Sequence, residues 1–235
     1  MSAGPRVRSR VTLSASPSSV EPEAAPEPMT TASGTRIGVL GGTFDPPHVG
    51  HLVLAEQARE QLRLDRVLFI PAGDPWRKSQ RAVTPAVHRL AMIRLAVAGN
   101  PAFAVDDSEV RRKGPTYSVD TLRELRARLA TADELYFVIG QDALADLPLW
   151  RDPAGIAALA LIAVARRPEP VEGPRADAEP PALPFDASRL VRVEMPLIDV
   201  SSTDLRARAR AGRSLRYLVP DAVAAYIREK GLYAG

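Results

Sequence analysis

Residues 36–62 read RIGVLGGTFDPPHVGHLVLAEQAREQL. The apolar run Arg36–Leu40 ends in two glycines, a turn with two prolines follows, and a helical pattern runs over His51–Leu62. Strand, glycine turn and helix in that order open a parallel α/β unit. The same alternation continues outward. Arg66–Ile70, Glu134–Ile139, Leu161–Ala165 and Leu190–Glu194 read as further strands. Their near-continuous apolar runs are the mark of strands buried on both faces. Pro85–Ala98, Ser118–Leu129 and Pro153–Leu159 read as helices between them, and Ser202–Ala211 and Pro220–Lys230 follow the last strand. The expected class is α/β, with helices on both faces of a parallel sheet.

The flanks of this core look different. Eleven of the 22 prolines fall within 1–33 and 168–184. Residues 1–33 mix Pro, Ser, Ala and Glu without an apolar period, so they cannot bury enough surface to offset their ordering entropy. They are expected to form a disordered extension, with 34–235 as a single domain. Arg6, Arg8 and Arg10 start a basic stretch, but no apolar segment follows, which argues against a secretory signal. Met29 is an alternative start; an N-terminus at Met1 in native protein would reject it. Residues 168–186 are expected to form a Pro-rich acidic surface loop. That loop carries about −4, which leaves about +7 on the rest of a chain whose net charge is +3. Such a surplus suits small anions and is too modest for a polybasic nucleic-acid binder. No apolar run approaches the ~18 residues of a membrane span. The 235 residues contain no cysteine, which excludes disulfides, thiol nucleophiles and Cys-based metal sites. It also fits a reducing, cytoplasmic setting. The sequence displays no interface patch, so a homo-oligomer stays open.

The segment Gly41–His51 carries the chemistry. It lies where a strand of an open α/β sheet ends and a helix begins, the usual place for a ligand. Gly41 and Gly42 allow a close backbone approach, and a helix start offers N–H groups to phosphate. Two of the chain's three histidines, His48 and His51, stand three residues apart on one side of that helix start. Imidazole N–H groups can bind phosphate oxygens and charge developing on them. Two rival readings fail on residues. A dinucleotide loop needs G-x-G-x-x-G, and histidines stand where its third glycine belongs. A zinc site would need a third ligand beyond the two histidines, and only His88 or a carboxylate remains.

The string GGTFDPPHVGH resembles the signature of bacterial nicotinate-nucleotide adenylyltransferases, within the HxGH nucleotidyltransferase superfamily. The resemblance extends over about residues 36–233. It implies a Rossmann-like, doubly wound parallel sheet of five or six strands with a small C-terminal helical part. It also implies the reaction of ATP with nicotinate mononucleotide to give nicotinate adenine dinucleotide and pyrophosphate. On the ATP side it points to Gly41, Gly42, Thr43 and Phe44, to Gly140 and Asp142, and to Ser201, Ser202 and Thr203. It gives catalytic roles to His48, His51 and Arg206. For the mononucleotide it points to Arg77 and Lys78, in a Trp-Arg-Lys version similar to actinobacterial members. Thr116 and Tyr117 would hold the nicotinate carboxylate, Trp150 would stack on the ring, and Arg167 would lie nearby. Several of these residues have plainer readings on their own. Ser201-x-x-Asp204 is a capping box, Asp142 a helix cap, and Trp150 a packed aromatic.

The acceptor phosphate is already largely dianionic at neutral pH, with a second pKa near ~6, so no general base is required. Catalysis would come from positioning and charge stabilisation. Mg2+ would be held mainly by the triphosphate and water, with no protein metal site. Two alternatives stay open: another acceptor, such as nicotinamide mononucleotide, and a nucleotide-binding regulatory module without catalysis. Phosphopantetheine enzymes of the superfamily usually carry Thr at the position of His48, which argues against that acceptor.

Overall fold

The computed structural model describes residues 34–74, 83–166 and 182–234. The strands are β1 (Arg36–Gly42), β2 (Arg66–Pro71), β3 (Phe103–Val105), β4 (Glu134–Gly140), β5 (Leu161–Arg166) and β6 (Leu190–Glu194). The helices are α1 (Val49–Gln61), α2 (Ala86–Val97), α3 (Ser108–Arg111), α4 (Ser118–Arg128), α5 (Gln141–Asp146), α6 (Pro153–Leu159), α7 (Ser202–Arg210) and α8 (Asp221–Glu229). The strands form one sheet, ordered β3-β2-β1-β4-β5-β6, and every pairing is parallel. This is the Rossmann-like, doubly wound arrangement.

Alternation along each strand sends side chains to two cores. Ile37, Val39, Phe137, Ile139, Ile162 and Val164 face one side, where Val119, Leu122 and Leu125 of α4 and Ile156 of α6 cover them. Leu40, Val67, Phe69, Val138 and Ala163 face the other, under Leu54, Ala55 and Ala58 of α1 and Ile93 and Val97 of α2. Burial on both faces is why these strands read as unbroken apolar runs. A third cluster forms the C-terminal helical part. Leu205 of α7, Leu215, Val219, and Val223 and Ile227 of α8 pack on Met92 of α2.

The strand β3 had no counterpart in the sequence reading. It is three residues long at the sheet edge, with Ala104 exposed between half-buried Phe103 and Val105, so its apolar run is too short to stand out as a strand. α5 buries no residue and shows no helical period. The opposite edge is finished by a side chain from α1. The amide of Gln61 donates to the carbonyl of Glu194 (2.8 Å) and accepts from its N–H (2.9 Å). Among the described residues no helix is long and apolar enough to cross a membrane. The expectations for residues 1–33 and for 168–181 of the acidic loop lie outside the described residues.

Candidate active site

In a doubly wound sheet the strand order reverses between two neighbours, and the loops leaving their carboxyl ends part to open a crevice. Here those neighbours are β1 and β4, paired from Arg36↔Glu134 to Leu40↔Val138. A cavity of about 920 Å3 lies at that point. Gly41, Gly42, Thr43, His48 and His51 line it from β1 and its loop, and Gly140, Gln141 and Asp142 from the end of β4. Glu109, Thr116, Ser118 and Trp150 also line it, as do Ser201, Ser202 and Thr203. Residues from four separated stretches therefore meet in one cavity. The starts of α1 and α7 contribute to it, and both present backbone N–H groups of a kind suited to anions.

The two histidines are held by local geometry. His48 is extended and precedes the first turn of α1. Its backbone N–H donates to Nδ1 of His51 at 3.2 Å. A nitrogen that accepts carries no proton, so the ring proton of His51 belongs on Nε2. The two rings stack with centroids 3.8 Å apart. His48 is buried, and desolvation pushes its pKa down to about 4. It is therefore neutral at pH 7, which lets it lie against a second imidazole without charge repulsion. Gly50 makes the stack possible, because a Cβ there would stand 3.1 Å from the His48 ring.

Phe44 takes a supporting part. Its side chain is buried rather than in the cavity lining, with its ring edge-on to His51 at 5.0 Å and its backbone left-handed (φ 51°). Arg206, expected to be catalytic, is absent from the cavity lining. Its Nη1 donates to the carbonyl of Asp45 at 2.8 Å, so it grips the loop from α7 instead of lining the cavity. Beside it, the Ser202 hydroxyl donates to the carbonyl of Pro46 at 2.9 Å. Ser201 accepts from the Asp204 N–H at 3.1 Å, which is the expected cap of α7.

Elsewhere in the lining two polar atoms await partners. Thr116 Oγ1 and Trp150 Nε1 are buried without a hydrogen-bond partner, and both residues line the cavity. Buried polar atoms are usually paired, so these two mark a place where a ligand completes the bonding. The Trp150 ring packs edge-on against Phe137 at 6.0 Å. Tyr117 precedes α4 with extended backbone, and its ring lies under the Arg151 guanidinium at 4.6 Å, outside the lining. Arg77, Lys78 and Arg167 lie outside the described residues.

Two residues near the site were not singled out in the sequence. Glu109 is buried and accepts from the Thr121 hydroxyl at 2.7 Å. It sits in a run of charged residues, where nothing distinguishes it. Arg89 is 1% exposed, and its guanidinium donates to the carbonyls of Thr43, Gly73 and Thr84 at 2.8–2.9 Å. Its signal was available: it stands with Met92, Ile93 and Val97 on the buried face of α2, where an arginine is out of place.

The cytidylyltransferase-like family matches residues 39–208. A probable nicotinate-nucleotide adenylyltransferase of Thermomicrobium roseum is 48% identical over 201 residues, covering 85% of this chain and 92% of that protein. One from Roseiflexus sp. is 51% identical, covering 86% of this chain and 99% of that protein. Among solved structures, Plasmodium falciparum nicotinic acid mononucleotide adenylyltransferase complexed with NaAD is similar with a TM-score of 0.66. It is 15% identical, covering 85% of this chain and 97% of that one, so the likeness is one of fold.

Proposed function

The chain belongs to the nicotinate-nucleotide adenylyltransferase family, and from that premise we propose how its residues share the work. The enzyme transfers the adenylyl group of ATP to nicotinate mononucleotide, giving nicotinate adenine dinucleotide and pyrophosphate in NAD biosynthesis. We take residues 34–235 as the catalytic domain and assign the acceptor and ATP to opposite ends of the cavity.

The observation that carries this assignment is the meeting of His48 and His51 with Ser201–Thr203, from two helix starts, in one cavity at the strand-order reversal. The acceptor's phosphate oxygen attacks the α-phosphorus in line with the departing pyrophosphate. His51, with its proton on Nε2, donates to the charge that grows on the α-phosphoryl oxygens. His48, neutral and buried, adds a dipole without a counter-charge. Gly41, Gly42 and Thr43 line the phosphate path, and Ser201–Thr203 receive the leaving group at the start of α7. Arg206 supports this arrangement chiefly by holding the Asp45 carbonyl, with its positive charge close to the departing pyrophosphate. Gly140 and Asp142 face the adenosine. At the other end Thr116 meets the nicotinate carboxylate, and Trp150 offers the ring a stacking surface and an N–H.

Among the described residues no group of three His, Cys, Asp or Glu forms a metal cage. The lining carboxylates are Glu109 and Asp142, and Glu109 is already engaged by Thr121. This donor set fits Mg2+ carried by the triphosphate, with Asp142 the residue available to it; the ion would neutralise phosphate charge.

The test offers purified enzyme ATP and Mg2+ with nicotinate mononucleotide, nicotinamide mononucleotide or phosphopantetheine in separate reactions. A strong preference for the first is expected. Preference for another acceptor would overturn the assignment of Thr116, and ATP binding without pyrophosphate release would overturn catalysis by His51.

A further inference from the structure

The loop that carries the histidines does not hold itself. Phe44 has left-handed backbone, a conformation that a bulky side chain keeps only when its surroundings enforce it. Enforcement comes from outside the loop. Arg89 of α2 takes the Thr43 carbonyl, Arg206 takes that of Asp45, and the Leu218 carbonyl accepts the Val49 N–H at 3.0 Å. Ser202 takes the Pro46 carbonyl, and a further restraint comes from the end of the chain. The hydroxyl of Tyr233 donates to Oδ1 of Asp45 at 2.6 Å, across 188 residues of sequence. The other oxygen of Asp45 accepts the Thr84 N–H at 3.2 Å. Asp45 is 4% exposed and absent from the cavity lining, so its carboxylate serves the interior and not a ligand.

Tyr233 is fixed for this contact. It follows α8, has left-handed backbone (φ 64°), and packs against the C-terminal apolar cluster. Burial and the Asp45 carboxylate hold its hydroxyl protonated far above working pH, so it stays a donor. Between Asp45 and His48 stand only Pro46 and Pro47, each with a ring-locked φ. A displacement of Asp45 therefore passes to His48 and to the helix start rather than being absorbed.

We propose that Tyr233 is a positioning residue for adenylyl transfer, its hydroxyl holding Asp45 so that His48 and His51 stand where the α-phosphate reacts. The inference rests on the assignment of those histidines to the phosphates. The C-terminal helical part is thereby joined to the chemistry by a hydrogen bond as well as by packing.

The test compares full-length Tyr233→Phe with Tyr226→Phe. Tyr226 is another C-terminal tyrosine, whose hydroxyl lies 2.9 Å from Nδ1 of His88, away from the histidine loop. Misplacing reacting groups by ~1 Å can cost ~100-fold, so loss of one restraint among several is expected to lower kcat about tenfold. The KM values for both substrates should stay within about twofold. Tyr226→Phe should keep the parent kcat. In an Asp45→Ala background, which removes the acceptor, Tyr233→Phe should cost clearly less than it does alone. A Tyr233→Phe kcat within about twofold of the parent overturns the inference. So does a loss equal to that of Tyr226→Phe, or one undiminished in the Asp45→Ala background. His51→Ala is measured alongside. If it retains activity, the histidine assignment itself has failed; if it is inactive while Tyr233→Phe is normal, only the present inference has.

Discussion

The two ends of the cavity are built in opposite ways. The proposed phosphate end centres on one continuous stretch, Gly41–His51, clamped by α2, α7 and the chain terminus and joined by Ser201–Thr203 from the start of α7. Most of its loop is held by contacts within the protein, down to the His51 nitrogen that accepts from the His48 N–H, and His48 Nδ1 is its one buried polar side-chain atom without a partner among the described residues. The proposed acceptor end is gathered from the loop before α4 and the turn after α5, and it leaves Thr116 Oγ1 and Trp150 Nε1 without partners. One end is held largely by contacts within the protein; the other leaves more of its bonding to a ligand. That difference suits a reaction in which rate depends on a fixed phosphate geometry and specificity depends on what fills the second site.

The sharpest way to break this contrast is at His51. His51→Ala should lower kcat about 10²–10³-fold with a small change in KM for ATP, as expected on removing a transition-state donor. A loss in KM instead would make the phosphate end a binding surface and erase the distinction. His48 offers a second probe, through stability. It titrates near ~6.5 in the unfolded chain and about 4 when folded. Between those values the unfolded chain binds the extra proton, so stability should fall as pH drops from ~6.5 towards ~4. The contribution is at most about 3 kcal/mol. Urea melts at several pH values should display this slope, and His48→Asn should flatten it.

The acceptor end predicts the reverse kinetic signature. Thr116→Val removes an unpartnered hydroxyl, so the free enzyme should be no less stable, while KM for nicotinate mononucleotide rises about tenfold. KM for ATP should not change. Equal effects on both substrates would mean that the two ends do not work separately. The smallest effect belongs to the helix cap. Ser201→Ala should cost about 1 kcal/mol of stability, read by thermal or urea unfolding. A weaker hold on ATP should accompany it, because the same turn faces the cavity.

The same contrast explains what could be read in advance. The phosphate end was legible because its residues are adjacent in sequence and framed by a strand and a helix. The strands β1, β2, β4 and β5 were legible because burial on both faces leaves an almost unbroken apolar run. β3 was not, since three residues at a sheet edge, two half-buried and one exposed, are too short a run to stand out. Thr116 and Trp150 stand out in the sequence only by resemblance, because they come to one cavity through the sheet's topology and not through spacing. Arg206 was given its catalytic role by resemblance. Sequence does not encode that its side chain turns back to the Asp45 carbonyl. Asp45 and Tyr233 belong to a network closed by tertiary folding, where each residue alone looks ordinary, and Arg89 alone among the three carries a sequence signal, its place on the apolar face of α2.

The side chain of Gln61 has a consequence beyond local bonding. Strands at the border of a sheet carry open N–H and C=O groups that recruit strands of other chains. Glu194, the last residue of β6, already has both groups occupied by the Gln61 amide. A neighbouring molecule that tried to extend the sheet there would meet a position that can no longer pair. At the other border only the three residues of β3 are offered. A crowded solution of this enzyme therefore finds one border short and the other stopped at its end, so the parallel sheet is poorly placed to grow from one molecule into the next.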